Sequence, residues 1–141
     1  VSYEHEIRVT WADCDPARIA YTGRIPNWAL DAINGFWEDL LDGDGWYQME
    51  LDRNFGTPFV HMSIDFRSPV TPRHRLICEV VPVRLGTTSI TFRVVGRQGG
   101  TLCFEGEFVN VFTQADVFRK APPPADVREK IEAVLQPQPA Q

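Results

Sequence analysis

Long apolar runs are missing: nowhere do about 18 apolar residues follow one another, the length a membrane-spanning helix needs. The opening Val-Ser-Tyr-Glu-His-Glu alternates polar residues where a secretory leader would place an apolar stretch. Cysteine is scarce as well. Cys14, Cys78 and Cys103 are odd in number and form no Cys-x-x-Cys pair, which argues against a disulfide framework and for reduced thiols. These absences lead to the expectation of a soluble, cytoplasmic protein with no membrane partner. Positive charge is also in deficit, with 14 Lys and Arg against 19 Asp and Glu, a net charge of −5. Nucleic acid is therefore a poor partner, because its binding draws on clustered cations that release counterions. No Ser or Cys sits in a Gly-x-Ser-x-Gly context, Gly43-Asp44-Gly45 lacks the preceding strand and following helix of a dinucleotide site, and no internal repeat is evident.

What is present suits one domain: 141 residues, 43% of them hydrophobic, are enough to fill a single core. Residues 3 to 11 alternate as a half-buried strand, with Tyr3, His5, Ile7, Val9 and Trp11 on one face. Trp28, Ala29, Ile33, Phe36, Trp37, Leu40 and Leu41 then recur at helical spacing, predicting a long helix from Asn27, its N-cap, to the stop at Gly43 and Gly45. A turn or two of helix over Trp46–Asn54 is broken by Gly56-Thr57-Pro58. Val60, Met62, Ile64 and Phe66 alternate with His61, Ser63, Asp65 and Arg67, predicting a strand with one side in the core. Runs over 75–85, 87–96 and 101–113, parted by Leu85-Gly86 and Gln98-Gly99-Gly100, predict three further strands in tight antiparallel hairpins. The order implies an α+β plan in which one long helix lies on an antiparallel sheet of about five strands. Ala121-Pro122-Pro123-Pro124 then leads to a short helix over 125–135 and a disordered Gln-Pro-rich end, so residues 1–120 are read as the domain and 121–141 as its tail.

The stretch Trp11 to Trp28 holds the densest chemistry. Pro16 biases Asp15 toward extended geometry, which would hold its carboxylate at the end of a strand and the start of a turn, where it can face a helix N-terminus whose unpaired N–H groups carry partial positive charge. A carboxylate there can attack, or activate water, while the amides hold an oxyanion. Asp13 and Asp15 offer hard oxygens to Mg²⁺ or Mn²⁺, but no further ligands lie near them in sequence, and capping a turn is an ordinary role for either acid. Cys14 between them is disfavoured as a nucleophile, since neighbouring carboxylates raise a thiol's pKa. With residues 11–15 extended, its side chain points away from both acids. His61, on the polar side of its strand, is a candidate base or lining residue. Arg67, Arg73 and Arg75, with His74 among them, fit either a phosphorylated small molecule or a solvated strand end.

The order Asp13-Cys14-Asp15-Pro16-Ala17-x-Ile19-x-Tyr21, a Trp at 28 and then Gly56-Thr57-Pro58 opening a strand resembles the 4-hydroxybenzoyl-CoA thioesterase family of hotdog-fold enzymes over roughly residues 5 to 113. The resemblance implies a helix wrapped by the sheet, a homodimer or homotetramer with sites at subunit interfaces, and hydrolysis of an acyl-CoA with no further cofactor and no metal. It implies Asp15 as nucleophile or general base, Thr22 and Gly23 as backbone oxyanion donors, and Tyr21, Trp28, Thr57 and His61 as lining of the acyl pocket. Two features depart from the hydroxybenzoyl branch: Thr22 follows Tyr21 where an aromatic residue is usual, and Leu30, with Asp31 one place on, stands where an acid reads the substrate hydroxyl. The turn that carries the family's basic cluster reads Leu85-Gly86-Thr87-Thr88, so either Arg67, Arg73 or Arg84 contacts coenzyme A instead, or the carrier differs. A non-catalytic acyl-CoA-binding module and an enoyl-thioester hydratase are the alternatives; thioester turnover separates the first, and the second wants an Asp and His pair that this segment lacks.

Overall fold

Strands form wherever β-branched and aromatic residues run between the Gly-containing turns. The computed structural model describes residues 2–138. Its elements are β1 (Tyr3–Ile7), a 3-10 turn (Trp11–Asp13), α1 (Arg24–Leu40), α2 (Trp46–Asp52), β2 (Phe55–Gly56), β3 (Phe59–Phe66), β4 (Leu76–Leu85), β5 (Ser89–Gln98), β6 (Thr101–Val111), β7 (Thr113–Gln114), β8 (Arg119–Lys120) and α3 (Ala125–Val134). Five strands make an antiparallel sheet in the order β1-β4-β5-β6-β3. A smaller sheet, β2-β7-β8, lies beyond the sequence pattern, because strands of two residues carry no alternation to read.

The apolar stripe of α1 (Ile25, Trp28, Ala29, Ala32, Ile33, Phe36 and Trp37) is buried. Phe36 and Trp37 set their rings edge-on against Phe92 of β5, and Trp37 also meets Phe112, so aromatic contacts join helix to sheet. The helix starts three residues before the expected Asn27, after Gly23. Pro26 occupies the first turn, where an N–H has no intrahelical acceptor and its loss is harmless.

β1 stops at Ile7, short of the expected residue 11, and Trp11 stands 73% exposed in the 3-10 turn. The strand over 60–66 exists, but its apolar side is only partly core: Ile64 packs against the core, whereas Val60, Met62 and Phe66 are 61%, 40% and 55% exposed. A bulge between Phe59 and His61 shifts the register, and beyond it Met62, Ile64 and Phe66 share a face with the buried Phe108 and Phe104. Met62 and Phe66 are nonetheless bare because β3 is the outermost strand. The tail helix α3 places Val127 and Ile131 in the same core as α1. Gln136, assigned above to a disordered end, donates its N–H to the Pro82 carbonyl (2.9 Å) and its side-chain amide to Ser2 Oγ (3.3 Å). Residues 139–141 of that end lie outside the described residues.

Candidate functional site

Between the 3-10 turn and α1 the chain folds back on itself. Cys14 and Ala20 form an isolated antiparallel bridge, Asp15 N–H donates to the Ile19 carbonyl (3.0 Å), and Arg18 turns the corner at φ 68°. The two acids have different jobs. One oxygen of Asp13 accepts from Thr10 N–H (2.8 Å) and Thr10 Oγ1 (3.1 Å), and the other lies 3.4 Å from Arg24 Nε. Its backbone carbonyl takes the Tyr21 N–H (2.8 Å), so Asp13 laces the loop to the start of α1. Asp15 commits one oxygen, Oδ1, to the Ala17 N–H (2.8 Å), and among the described residues nothing donates to its Oδ2. This fixes the carboxylate's orientation and leaves one oxygen available.

A cavity of about 460 Å³ opens here, walled by Ala12, Asp13, Cys14, Asp15, Tyr21, Gly23, Arg24 and Asn27. Cys14 shares it with both acids, contrary to the expectation of an opposite face, because residues 11–13 coil into a 3-10 turn and the two-residue alternation of a strand is lost. A second, more apolar cavity of about 300 Å³ lies between Ile19, Ala20, Thr22 and Ile25 on one side and Phe66 to Val70 on the other. Thr22 and Gly23, adjacent in the chain, thus border different cavities at the entry to α1. The amides of Arg24 and Ile25 are already taken by the Tyr21 and Thr22 carbonyls, whereas those of Thr22 and Gly23 have no acceptor among the described residues. The Tyr21 ring lies over Gly23 so closely that a Cβ there would meet Cε2 at 2.6 Å. Arg24 and Asn27, which no motif had flagged, enter the wall because the helix begins early.

The other residues singled out above are spread more widely. Trp28 is 8% exposed and belongs to the core, with Phe36 and Trp37. Thr57 is buried beside a third cavity with Trp46, Met49, Glu50, Phe59 and Phe118, and its Oγ1 has no hydrogen-bond partner. His61 is exposed on β3, paired with Val109 on the sheet face away from Phe104 and Phe108, so within one chain it does not meet Asp15. Arg67 borders the apolar cavity, but its guanidinium is engaged by Glu105 (3.3 Å) and Asp65 (3.7 Å). Hydrogen bonds from Arg93 and then Arg67 hold the Glu105 carboxyl below the usual carboxylate range. Arg73 lies in a basic cleft with Arg8, His74 and Arg75, and Arg84 is exposed on β4, bordering neither that cleft nor the Asp15 cavity. Among the described residues no three His, Cys, Asp or Glu side chains gather as a metal site requires. Among the described residues no helix is long and apolar enough to cross a membrane.

A carboxylate with one free oxygen thus lies near a helix entry with two free amides. The family model of the thioesterase-like superfamily matches residues 9–131, and the chain belongs to that superfamily. It is similar to a thioesterase-superfamily protein from Jannaschia sp. CCS1, with 54% identity over 96% of this chain and 94% of that one and a TM-score of 0.93. It shares its hotdog fold with a 1,4-dihydroxy-2-naphthoyl-CoA thioesterase from Synechocystis, at 21% identity over 97% of this chain and all (100%) of that one, TM-score 0.82. The same holds for a DHNA-CoA thioesterase from Staphylococcus aureus, at 15% identity over 94% and 90% of the two chains, TM-score 0.83. No curated protein matches the chain in sequence.

Proposed function

We propose that this chain is an acyl-CoA thioesterase in which α1 is the central helix wrapped by the sheet and Asp15 is the reacting carboxylate. The observation that carries this is the meeting of the two cavities at Thr22 and Gly23, whose amides are free, with the unengaged oxygen of Asp15 in one cavity and apolar walls in the other. A thioester carbonyl at that divide would set its oxygen on the two amides and its acyl group among Ile19, Ile25, Phe66 and Val70. Tyr21 would cover the reacting carbon. Either Asp15 takes a proton from a water that attacks the carbonyl carbon, the C–S bond breaks, and the acyl group leaves as a carboxylate; or Asp15 attacks that carbon itself, the C–S bond breaks to leave an acyl–Asp15 anhydride, and a water then cleaves the anhydride to free the acid and restore the carboxylate; on both routes the coenzyme A thiolate leaves and is protonated. The positive end of α1 and the amides stabilise the charge that develops on the carbonyl oxygen. No cofactor is invoked, since coenzyme A enters as part of the substrate.

Aliphatic and aromatic acyl-CoA substrates, assayed by thiol release, test this reading. Benzoyl-, phenylacetyl- and medium-chain substrates are expected to exceed acetyl-CoA in kcat/KM, because acetyl leaves most of the apolar cavity unfilled. Tight binding of the whole panel without thiol release would support a binding module, and hydration of an enoyl-CoA without hydrolysis would support a hydratase.

The working unit in this proposal is a homodimer or homotetramer. β3 is an eight-residue edge strand with a free hydrogen-bonding side and exposed Val60, Met62 and Phe66, an arrangement that invites a second strand. Antiparallel pairing of two copies of β3 sets the Thr57 end of one strand beside the Phe66 end of the other. The Thr57 and His61 segment would thereby come to the apolar cavity of the other copy, which would account for its separation from Asp15 within one chain. Sedimentation at micromolar concentration is expected to give two or more 16.0 kDa chains, and a species of 16.0 kDa alone would defeat the dimer.

A further inference from the structure

β1 and β4 are paired down to Ile7 and Leu76, and beyond that pair the two segments splay apart. The fork encloses a cleft of about 550 Å³ lined by Arg8, Val9, Thr10 and Trp11 from one segment and by Pro72, Arg73, His74 and Arg75 from the other. In a chain of net charge −5 this gathers three arginines and a histidine in one concave place. Among the described residues Arg8, Arg73 and Arg75 make no ion pair; six other arginines are engaged by carboxylates, and the further unpaired ones, Arg18, Arg84 and Arg119, border no such cleft. The basic turn is fixed from beneath. Gln98, only 6% exposed, donates its side-chain amide to the carbonyls of Thr71 (2.7 Å) and His74 (2.8 Å), and its own carbonyl accepts the Thr71 N–H (2.9 Å). A buried amide making three backbone bonds holds the turn that carries Arg73, His74 and Arg75, which lowers the entropy lost when they close on an anion. At the mouth Trp11 offers a ring that is 73% exposed.

We infer that this cleft receives the phosphorylated nucleotide end of the thioester's coenzyme A, with guanidinium groups on its phosphates and the Trp11 ring against its adenine. The inference rests on the acyl-CoA reading above and says where the carrier lies. Arginine matches phosphate oxygens with paired donors and stacks on flat rings, and an exposed indole is a platform for a base. The cleft and the Asp15 cavity are two sides of one wall: Thr10 and Trp11 border the first, Ala12 and Asp13 the second. From Trp11 to Asp15 the chain spans at most about 14 Å, a distance that an extended pantetheine arm covers. Arg67, tied to Glu105 and Asp65, and Arg84, on another part of β4, have no place in this path.

Adenosine 3′,5′-bisphosphate, which carries the adenine and ribose 3′-phosphate of coenzyme A but no thioester, is the direct probe. Titrated into the intact protein with calorimetric detection, it is expected to bind saturably and more weakly as salt rises. R73A/R75A should lower that affinity at least about tenfold, W11A should lower it too, and R84A should leave it unchanged. In turnover, R73A/R75A is expected to raise KM for benzoyl-CoA by about tenfold or more with little change in kcat, and to leave hydrolysis of the N-acetylcysteamine thioester, which lacks the nucleotide, as it was. Absence of bisphosphate binding, or an R73A/R75A protein with unaltered affinity and KM, overturns the inference. So does a preference for an acyl carrier protein over acyl-CoA that the same double substitution abolishes, because the cleft would then read an acidic protein surface. Binding of the bisphosphate needs no catalysis, so a protein that binds it through these arginines yet hydrolyses no thioester sinks the thioesterase reading and leaves the nucleotide cleft standing.

Discussion

Asp15→Asn is expected to lower kcat on a good acyl-CoA by at least about 10²-fold while KM and thermal stability change little. The carboxylate accepts one hydrogen bond, from the Ala17 N–H, and an Asn carbonyl oxygen can accept the same bond, so the turn over 15–18 survives the substitution. What is lost is negative charge on the unengaged oxygen, and both attack on the carbonyl and removal of a proton from water need it. If Asp15 only held the turn, Asn would be close to an equal replacement and the rate would stay near that of the natural protein. Asp13→Asn is the control. Asp13 accepts twice from Thr10 and pairs with Arg24, so its loss loosens the join between loop and α1 and should appear first in stability. An Asp15→Asn protein that keeps more than about a tenth of its kcat beside an inactive but folded Asp13→Asn would mean that the other acid reacts.

Trp37→Ala is expected to be the most destabilising single change, by about 3–5 kcal/mol, seen as a loss of roughly 10–20 °C in Tm. Trp37 is 0% exposed and sits edge-on against Phe36 and Phe92, with Phe112 beyond, so truncation empties the contact between α1 and the sheet. Its Nε1–H, however, has no partner in the described structure. A buried donor left unpaired costs about 1–3 kcal/mol, so Trp37→Phe, which keeps a ring and removes that donor, should lose well under half of what Ala loses. Equal Tm values for the two variants would show that the ring contributes no more than a methyl group. Because α1 also presents the Thr22 and Gly23 amides, the Ala variant should lose activity on warming before the Phe variant does.

Much of this was legible in the residues, for reasons that differ from place to place. Strands β4 to β6 carry long β-branched runs between turns containing Gly86 and Gly99-Gly100, and local pattern suffices for those. The start of α1 was misplaced because Pro26 signals a boundary as well as a first turn, and sequence alone does not say which. The alternation over 60–66 assigns Val60, Met62 and Phe66 to a covered side, yet this chain leaves them bare, since being outermost is a property of the whole sheet and not of the strand. Asp15 stood out through Pro16 and the motif around it. Thr57 and His61 did not resolve, because their distance from Asp15 depends on pairings far apart in sequence. Half of the basic cleft was visible as Arg73-His74-Arg75; its other half, Arg8 and Trp11, joins only through the Ile7 and Leu76 register.

The bond between Gln136 and Ser2 gives the molecule a usable handle. Both ends of the described chain emerge together at the start of β1, and the basic cleft lies past its other end, about 17 Å away for a strand of five residues. A short linker from residue 136 to residue 2 would close the chain into a ring without crossing the sheet, so new termini can be opened elsewhere, for instance at the exposed Asp42-Gly43 corner. A tag or a surface tether attached at Ser2 or Gln136 likewise leaves from the side remote from the basic cleft, and a protein held that way would keep the mouth of that cleft toward the solution.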